Sequence, residues 1–227
     1  MEKVHYQIED DCFIQIAEPE TITRKQVIAL IHGGYWRQEK SLETVKEMQS
    51  FFVLHGYPVC NIEYRRGMNN PWPIPLFDVK SAIKQIKERY ADFELILIGH
   101  SVGGQLALLN AAEAQQVIAL APVTDLVYTY EYQLGDNAVA EYFGEKVDEK
   151  ELLAASPCQQ LPLKTERCLI IHGSDDVRVD IETTLNYLKM NLLNRQNIEL
   201  LVLPKMAHQD IIEPDQKHFD YILNWLN

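Results

Sequence analysis

The stretch Ile96–Gly104, Ile-Leu-Ile-Gly-His-Ser-Val-Gly-Gly, decides how the rest of the chain is interpreted. It begins with a short apolar run typical of a buried strand, breaks at Gly99, places one serine at the turn and continues into the helix-like sequence Gln105–Leu109. A turn this sharp leaves no room for side chains two residues before and two residues after the serine, and it strains the serine backbone. The pattern Gly-x-Ser-x-Gly in this context predicts a nucleophile elbow, with Ser101 exposed at the end of a central strand.

Composition and charge limit the classes of protein to which the chain can belong. Its 227 residues are 47% hydrophobic and 24% charged, which is typical of a globular protein, and we expect a single domain over residues 1–227. The formal net charge of −12 argues against a nucleic-acid partner, because phosphate binding needs a cationic surface. No stretch approaches the ~20 apolar residues of a membrane span, and no apolar signal core begins the chain. We therefore predict a cytoplasmic protein without a membrane partner.

The cysteines and histidines do not show the spacing of a metal site. Four cysteines, Cys12, Cys60, Cys158 and Cys168, lie far apart in the sequence and form no Cys-x-x-Cys pair. We interpret them as reduced thiols, most of them buried. No Gly-x-Gly-x-x-Gly or Walker-type loop is present either. The sequence thus predicts neither a metal nor a cofactor.

Apolar runs and helical patterns alternate along the chain. Six runs have the composition of buried strands: residues 27–31, 57–64, 95–98, 117–121, 168–171 and 198–203. Segments typical of helices lie between them, at about 39–55, 76–90 and 180–193, and a closing helix follows Pro214. This alternation predicts an α/β fold with a mostly parallel central sheet and helices on both faces. The weakly alternating residues 4–17 predict an antiparallel hairpin at the sheet edge.

Residues 123–160 interrupt the alternation and carry several aromatic side chains among acidic ones. One interpretation is a helical insertion whose aromatic side chains pack against the rest of the domain. The other is a small cap whose aromatic side chains line a pocket over Ser101, and the two are compatible. We predict a helical cap insertion at about 123–160, in which Tyr128 and Tyr142 bind substrate together with Trp36.

A serine nucleophile needs a base within hydrogen-bond reach and an acid that orients the base. These partners are expected in loops after later strands, because such loops converge on the sheet edge where the elbow lies. Of the seven histidines, His208 alone lies in a loop after the last predicted strand, and we predict that it is the base. The loop after residue 171 offers two adjacent candidates for the acid, Asp175 and Asp176. Their positions do not decide between them.

The remaining histidines near the motifs have structural interpretations. His32 and His172 end predicted strands beside glycines, and we expect them to bind backbone groups of their loops. His100, next to the nucleophile, is expected to point elsewhere.

The negatively charged oxygen that develops in acyl transfer needs backbone N–H donors. The residue after the nucleophile, Val102, is predicted to supply one of them. Gly33, Gly34 and Tyr35 follow an early strand and are positioned to supply the second, because absent side chains let the backbone approach the carbonyl closely. The sequence therefore predicts an oxyanion hole formed by these four residues.

Together the motifs resemble the α/β-hydrolase superfamily over essentially the whole chain. Four of them fall in the order of that superfamily: His32-Gly33-Gly34, Gly99-His100-Ser101-Val102-Gly103, His172-Gly173-x-x-Asp176-x-x-Val179, and the loop of His208. In the superfamily the acid is the aspartate three residues before the valine. The resemblance therefore implies an α/β-hydrolase fold and a triad of Ser101, Asp176 and His208.

Within the superfamily, the loop His32–Trp36 resembles the His-Gly-Gly-x-Trp motif of kynurenine formamidases. The segment Asn61–Arg65 and the Trp72-Pro73 turn are similar to those of small esterases and formamidase-like hydrolases. Val102 departs from many relatives, which carry a smaller residue there, and its β-branched side chain would narrow the acyl pocket. The resemblance implies a serine hydrolase that cleaves a small-molecule ester or amide, either a carboxylesterase or an aryl formamidase.

Two other functions are alternatives. The first is a small peptidase similar to the catalytic domain of prolyl oligopeptidases, although the chain lacks the propeller with which such enzymes select peptides. The second is a non-catalytic binding module on the same fold, which a missing triad member would favour, and none is missing. A homodimer through an edge strand or the last helix is also compatible with the sequence.

Overall fold

The computed structural model describes residues 1–144, 146–194 and 197–227. Within these ranges eight strands form one sheet: β1 (Glu2–His5), β2 (Phe13–Ala17), β3 (Gln26–Ile31), β4 (Val59–Glu63), β5 (Glu94–His100), β6 (Gln116–Leu120), β7 (Arg167–Gly173) and β8 (Ile198–Leu203). β1 pairs antiparallel with β2, and β2 pairs antiparallel with β4, whereas β3 to β8 run parallel to one another. The predicted N-terminal hairpin and the mostly parallel sheet are confirmed.

The strand order, β1-β2-β4-β3-β5-β6-β7-β8, places two of the predicted site loops side by side. The chain moves outward from β3 to β4 and then crosses to β5 on the other side of β3. In an open parallel sheet, such a reversal leaves a crevice at the carboxyl ends of the strands. The loop that begins at His32, after β3, and the turn that holds Ser101, after β5, both start at this crevice.

Helices cover both faces of the sheet. They are α1 (Lys46–Leu54), α2 (Ile74–Arg89), α3 (Val102–Leu109), α4 (Leu126–Glu131), α5 (Leu134–Phe143), α6 (Glu149–Ala155), α7 (Ile181–Leu193) and α8 (His218–Leu226). Because successive side chains of a strand point to opposite faces, Ile28 and Leu30 pack on the side of α1 and α8, whereas Val27 and Ile31 pack on the side of α2, α3 and α7. Two apolar layers therefore enclose the sheet, as predicted.

Three of these helices, α4 to α6, lie between β6 and β7, within the predicted insertion at 123–160. Asp125 caps α4 by accepting a hydrogen bond from the N–H of Tyr128 at 3.0 Å. At the start of α5, residues 135–137 all have positive φ, so the chain kinks there. The insertion is therefore a set of short helical pieces joined by tight turns.

Two smaller predictions can also be compared with the structure. All four cysteines are free and buried, as expected. The last helix begins at His218, after a turn that contains Pro214. In the described part of the chain, no helix combines the length and the apolar character needed to span a bilayer.

Candidate active site

Ser101 lies at the turn between β5 and α3, with φ of 57° and ψ of −120°. A non-glycine residue in this conformation is strained, and close packing of the backbone around it maintains the strain. A Cβ atom on Gly99 would lie 2.1 Å from the carbonyl oxygen of Gly103, and a Cβ on Gly103 would lie 2.0 Å from that of Ile31. The ends of β3 and β5 thus approach α3 so closely that glycine is required at both positions.

The backbone of Ser101 is hydrogen-bonded to a neighbouring strand, and helix α3 begins at the next residue. The N–H of Ser101 donates to the carbonyl oxygen of Leu120 on β6 at 2.9 Å. The prediction that Ser101 is exposed is wrong: the residue is 1% exposed, and it borders a cavity because loops from other strands close over the turn. α3 begins at Val102, so the N–H of Val102 has no acceptor within that helix. A helix N-terminus also favours negative charge. The first predicted oxyanion donor is therefore available next to Ser101.

The loops after β7 and β8 bring an acid to a base. His208 Nδ1 donates to Asp176 Oδ2 at 2.6 Å, and the two side chains are 6% and 1% exposed. The other oxygen of Asp176 accepts from the N–H groups of Arg178 and Val179, each at 2.9 Å. The neighbouring Asp175 is exposed and binds a serine hydroxyl within its own loop. The structure therefore brings Asp176, and not Asp175, to His208.

The neighbours of Asp176 keep it charged. Burial raises the pKa of this carboxyl, but hydrogen bonds from His172, His208 and the N–H of Val179 outweigh burial and hold the pKa well below its usual value. His172 Nε2 lies 3.0 Å from the carbonyl oxygen of Val179 and 3.3 Å from Asp176 Oδ2, so Nε2 carries the hydrogen, and Nδ1 accepts from Thr184 at 2.9 Å. His172 thus binds loop backbone, as predicted, and also contacts the acid. A charged Asp176 can therefore accept the hydrogen bond from Nδ1 of His208.

The expectation that His100 points away from the nucleophile is wrong. His100 lines the same cavity as Ser101, and its Nε2 donates to the carbonyl oxygen of His208 at 3.1 Å. The ring centroids of His100 and His208 lie 4.6 Å apart. Burial, together with the nearby His208, lowers the pKa of His100 to about 3. A neutral His100 therefore ties the loop of His208 to the elbow, a contact that the sequence does not signal because 108 residues separate the partners.

We expect the pH dependence of unfolding to reveal this buried histidine. The unfolded chain binds a proton on His100 near the ordinary pKa of 6.5, whereas the folded chain does so near 3, so stability falls as the pH drops below 6.5. His100→Gln places an amide donor where Nε2 lies and removes the titration. When the pH falls from 7 to 5, the free energy of unfolding should decrease by about 2 kcal/mol less in this variant than in the wild type. Urea unfolding at both pH values measures this difference.

A pH dependence in His100→Gln that equals that of the wild type would contradict a buried, neutral His100.

The loop after β3 borders a cavity of about 140 Å³ over Ser101. Gly33, Gly34 and Tyr35, the other predicted oxyanion residues, line this cavity together with Ser101 and His208. Residues 34–36 all have positive φ, so the backbone turns sharply here. The hydroxyl of Tyr35 donates to the carbonyl oxygen of residue 178 at 2.5 Å, which joins the loop to the one that carries the acid.

A buried polar cluster supports this loop from beneath. His32 donates through Nδ1 to the carbonyl oxygen of Gly33 at 2.8 Å, and its ring stacks on Tyr64 at 4.4 Å between centroids. Its Nε2 lies 3.3 Å from Glu63, which also forms an ion pair with Arg66. Burial raises the pKa of Glu63, but His32 and Arg66 outweigh burial and lower it. His32 therefore has the structural role predicted for it.

Trp36, Tyr128 and Tyr142 do not line the cavity over Ser101, which corrects the prediction of an aromatic pocket there. Trp36 is 1% exposed and stacks on Tyr142, with ring centroids 5.1 Å apart. The hydroxyl of Tyr142 donates to the carbonyl oxygen of Asn70 at 2.7 Å, and that of Tyr128 donates to Asp180 at 2.8 Å. These side chains therefore pack the insertion onto the domain. Trp36 and Tyr142 also border a second cavity, of about 240 Å³.

Charged side chains that form no local sequence pattern join the insertion to the rim of the first cavity. Arg37 binds Glu141 through two nitrogens, Nε at 2.9 Å and Nη2 at 2.7 Å. Arg178 Nη1 binds Asp136 at 2.6 Å. The partners are 104 and 42 residues apart in the chain, so no local pattern could have paired them.

The chain is similar in sequence to a kynurenine formamidase and to an esterase. Residues 14–191 match the model of the BD-FAE family. The chain is 32% identical over 98 residues to a kynurenine formamidase of Scheffersomyces stipitis, an alignment that covers 40% of this chain and 37% of that protein. It is 24% identical over 210 residues to the esterase LipC of Mycobacterium tuberculosis, covering 80% and 52%, respectively. The chain thus spans about a third to a half of the length of these two relatives.

Solved structures show the same architecture. A truncated carbohydrate esterase from gut microbiota superimposes with a TM-score of 0.84 at 19% sequence identity, over 98% of this chain and 93% of that one. This likeness confirms the predicted α/β-hydrolase fold.

Proposed function

Since this chain belongs to the BD-FAE family, we propose that it is a serine hydrolase that cleaves small carboxylic esters or amides through an acyl-enzyme. One observation carries the proposal. His208 Nδ1 lies 2.6 Å from Oδ2 of the charged, buried Asp176, and His208 lines the same cavity as Ser101. Ser101 has a strained backbone conformation and directly precedes helix α3. A nucleophile, a base and an orienting acid on three separate loops are the set of groups that acyl transfer requires.

The geometry supports a definite assignment of protons. Because Nδ1 of His208 donates to Asp176, Nε2 is free to accept the Ser101 proton as Oγ attacks the substrate carbonyl carbon. The resulting imidazolium then gives that proton to the leaving alcohol or amine, and the acyl group stays on Ser101. Water repeats the sequence in the second half: His208 takes its proton, the hydroxide attacks the acyl carbon, and Ser101 leaves with the proton restored.

The negative oxygen formed in both halves needs fixed donors. The N–H of Val102 at the start of α3 supplies one, and the sharply turned backbone of residues 33–35 supplies the second. The cluster of His32, Glu63 and Arg66 holds that turn in place. Because backbone groups fixed by the fold need no reorganisation, they stabilise the transition state efficiently.

The size of the cavity favours small substrates. A volume of about 140 Å³ admits a short acyl group, and we place short-chain esters ahead of other substrates. Aryl formamides are the second candidate, because the resemblance of His32–Trp36 to the formamidase motif agrees with the similarity to a kynurenine formamidase.

The experiment is hydrolysis of 4-nitrophenyl acetate and N-formylkynurenine by the wild-type protein, beside labelling with a fluorophosphonate and peptide mapping of the adduct. We expect one adduct per chain, on Ser101, and a higher kcat/KM for the ester. Rapid formamide turnover without ester turnover would reverse the order of the two substrates. A folded protein that is neither labelled nor active on either substrate would contradict the proposal and favour a binding module.

A further inference from the structure

The cavity over Ser101 is bordered by positive charge, although the chain as a whole has a net charge of −12. Arg37, Lys40 and Arg178 all line it, and we call these three side chains the cationic rim. None of the described residues that line the cavity is acidic. The acid of the site, Asp176, is buried and bonded to His208, so it does not border the cavity itself.

The two arginines of the rim are partly neutralised. Glu141 pairs with Arg37, and Asp136 pairs with Arg178, so each guanidinium has a carboxylate partner from the insertion. Within the described residues, Arg178 uses one N–H donor on Asp136, and the remaining donors of this five-donor group stay available to a ligand. The side chain is 39% exposed, so solvent reaches it.

Lys40 has no such partner among the described residues. Its ammonium group forms no ion pair with any carboxylate in the part of the chain that the structure describes. Its stem lies close to Gly34 in the loop after β3, because a Cβ on Gly34 would lie 2.3 Å from the Cβ of Lys40. Among the described residues, Lys40 is therefore the side chain of the cationic rim that no carboxylate pairs with.

We propose that the cationic rim binds an anionic group, such as a carboxylate, of the same molecule whose ester or amide bond Ser101 attacks. This inference rests on the proposed function and names the class of its substrate. An exposed cation gives only a modest binding energy, but at a cavity mouth it also raises the local concentration of anions and orients them. Lys40 supplies the charge that is not already compensated, and Arg178 supplies additional hydrogen-bond donors.

Two pairs of substrates test the charge on either side of the scissile bond. 4-Acetoxybenzoate and 4-acetoxybenzamide place a carboxylate or a neutral amide on the leaving group. Monomethyl glutarate and methyl 4-carbamoylbutanoate place the same two groups on the acyl side. In the wild type at low salt, we expect the anionic member of at least one pair to have the higher kcat/KM, and we expect added salt to reduce the preference.

Lys40→Gln should lower kcat/KM for the preferred anionic ester by about three- to tenfold and change that for its neutral partner by less than about twofold. Lys40→Glu should make the neutral ester the better substrate. Lys84→Gln is the matched control, because it removes one positive charge from a side chain that is 80% exposed and lies outside the cavity lining. It should leave the preference unchanged.

The outcomes separate this inference from the proposed function. Equal kcat/KM values for both members of both pairs would contradict anion binding by the cationic rim. If the neutral esters are hydrolysed in that case, the proposed serine hydrolase function is retained. A preference for anions that survives in Lys40→Gln and Lys40→Glu would contradict anion binding by the cationic rim as well. Failure of the wild type on all four esters, with no labelling of Ser101, would contradict the proposed function itself and this inference with it.

Discussion

Ser101→Ala is expected to lower kcat/KM for 4-nitrophenyl acetate by about 10⁴-fold or more. The substitution removes the oxygen that attacks the substrate and leaves the oxyanion donors and the cavity in place. Alanine has the same Cβ as serine, so the backbone strain at φ of 57° is unchanged and the thermal unfolding temperature should stay close to that of the wild type. Steady-state hydrolysis, with loss of fluorophosphonate labelling, measures the effect.

Two neighbouring aspartates provide a second test of the site and its matched control. Asp176→Asn should lower kcat by about 10⁴-fold, because an amide no longer favours the His208 tautomer that leaves Nε2 as the base. Asp175→Asn makes the same chemical change at the exposed adjacent position and should stay within about twofold of the wild type. A folded Ser101→Ala that keeps its activity, or a larger loss from Asp175→Asn than from Asp176→Asn, would contradict the assignment of the site.

Gly103→Ala is expected to lower the free energy of unfolding by more than about 4 kcal/mol or to prevent folding. The added Cβ would lie 2.0 Å from the carbonyl oxygen of Ile31 and 2.6 Å from that of His32. Both are backbone atoms at the end of β3, so relief of the clash requires α3 and β3 to move apart. Urea unfolding followed by circular dichroism measures the loss.

Gly144→Ala separates steric clash from backbone strain. Gly144 has φ of 92°, and a Cβ there would meet no atom within 4 Å. The cost should then be only that of the unfavourable backbone conformation, about 1–3 kcal/mol. If Gly103→Ala were no more destabilising than Gly144→Ala, close packing at the elbow could not be the reason for glycine at position 103.

The arrangement of the sheet could be predicted because its causes are local. Each buried strand is a continuous apolar run, such as Val27–Ile31, and each helix repeats its apolar positions at helical spacing. The elbow is equally local, since strand, turn and helix follow one another within Ile96–Gly104. Chain order then places His208 on the loop after the last strand, because parallel strands end at the same edge.

The acid is an intermediate case. Asp175 and Asp176 have the same chemistry and adjoining positions, and resemblance to a superfamily motif was needed to prefer one of them. In the structure, Asp176 receives hydrogen bonds from two backbone N–H groups and from His208, whereas Asp175 faces solvent. The direction of a side chain in a turn depends on the exact backbone path, which residue types alone do not specify.

The predictions that Trp36, Tyr128 and Tyr142 lie over Ser101 and that His100 points away from it were wrong for a related reason. Helices α4 to α6 lie in the segment where the sequence predicts an insertion, but the sequence does not indicate which surface its aromatic rings meet. Trp36 stacks on Tyr142, which is more than a hundred residues away in the chain, and His100 donates a hydrogen bond to the backbone carbonyl of His208. Such contacts form between segments that are distant in the chain, so no periodicity or spacing records them.

The sequence by itself determined the order of strands and helices along the chain, the serine at the turn after β5, the histidine on the loop after β8 and the glycines of the loop after β3, because each is a pattern within a few consecutive residues. The tertiary structure alone decided that His100 bonds to the loop of His208, that Tyr142 stacks on Trp36 outside the cavity over Ser101, and that Lys40 borders this cavity without an ion-pair partner among the described residues. Those features depend on which surfaces meet when the loops converge, and that convergence is a property of the packed sheet and its helices.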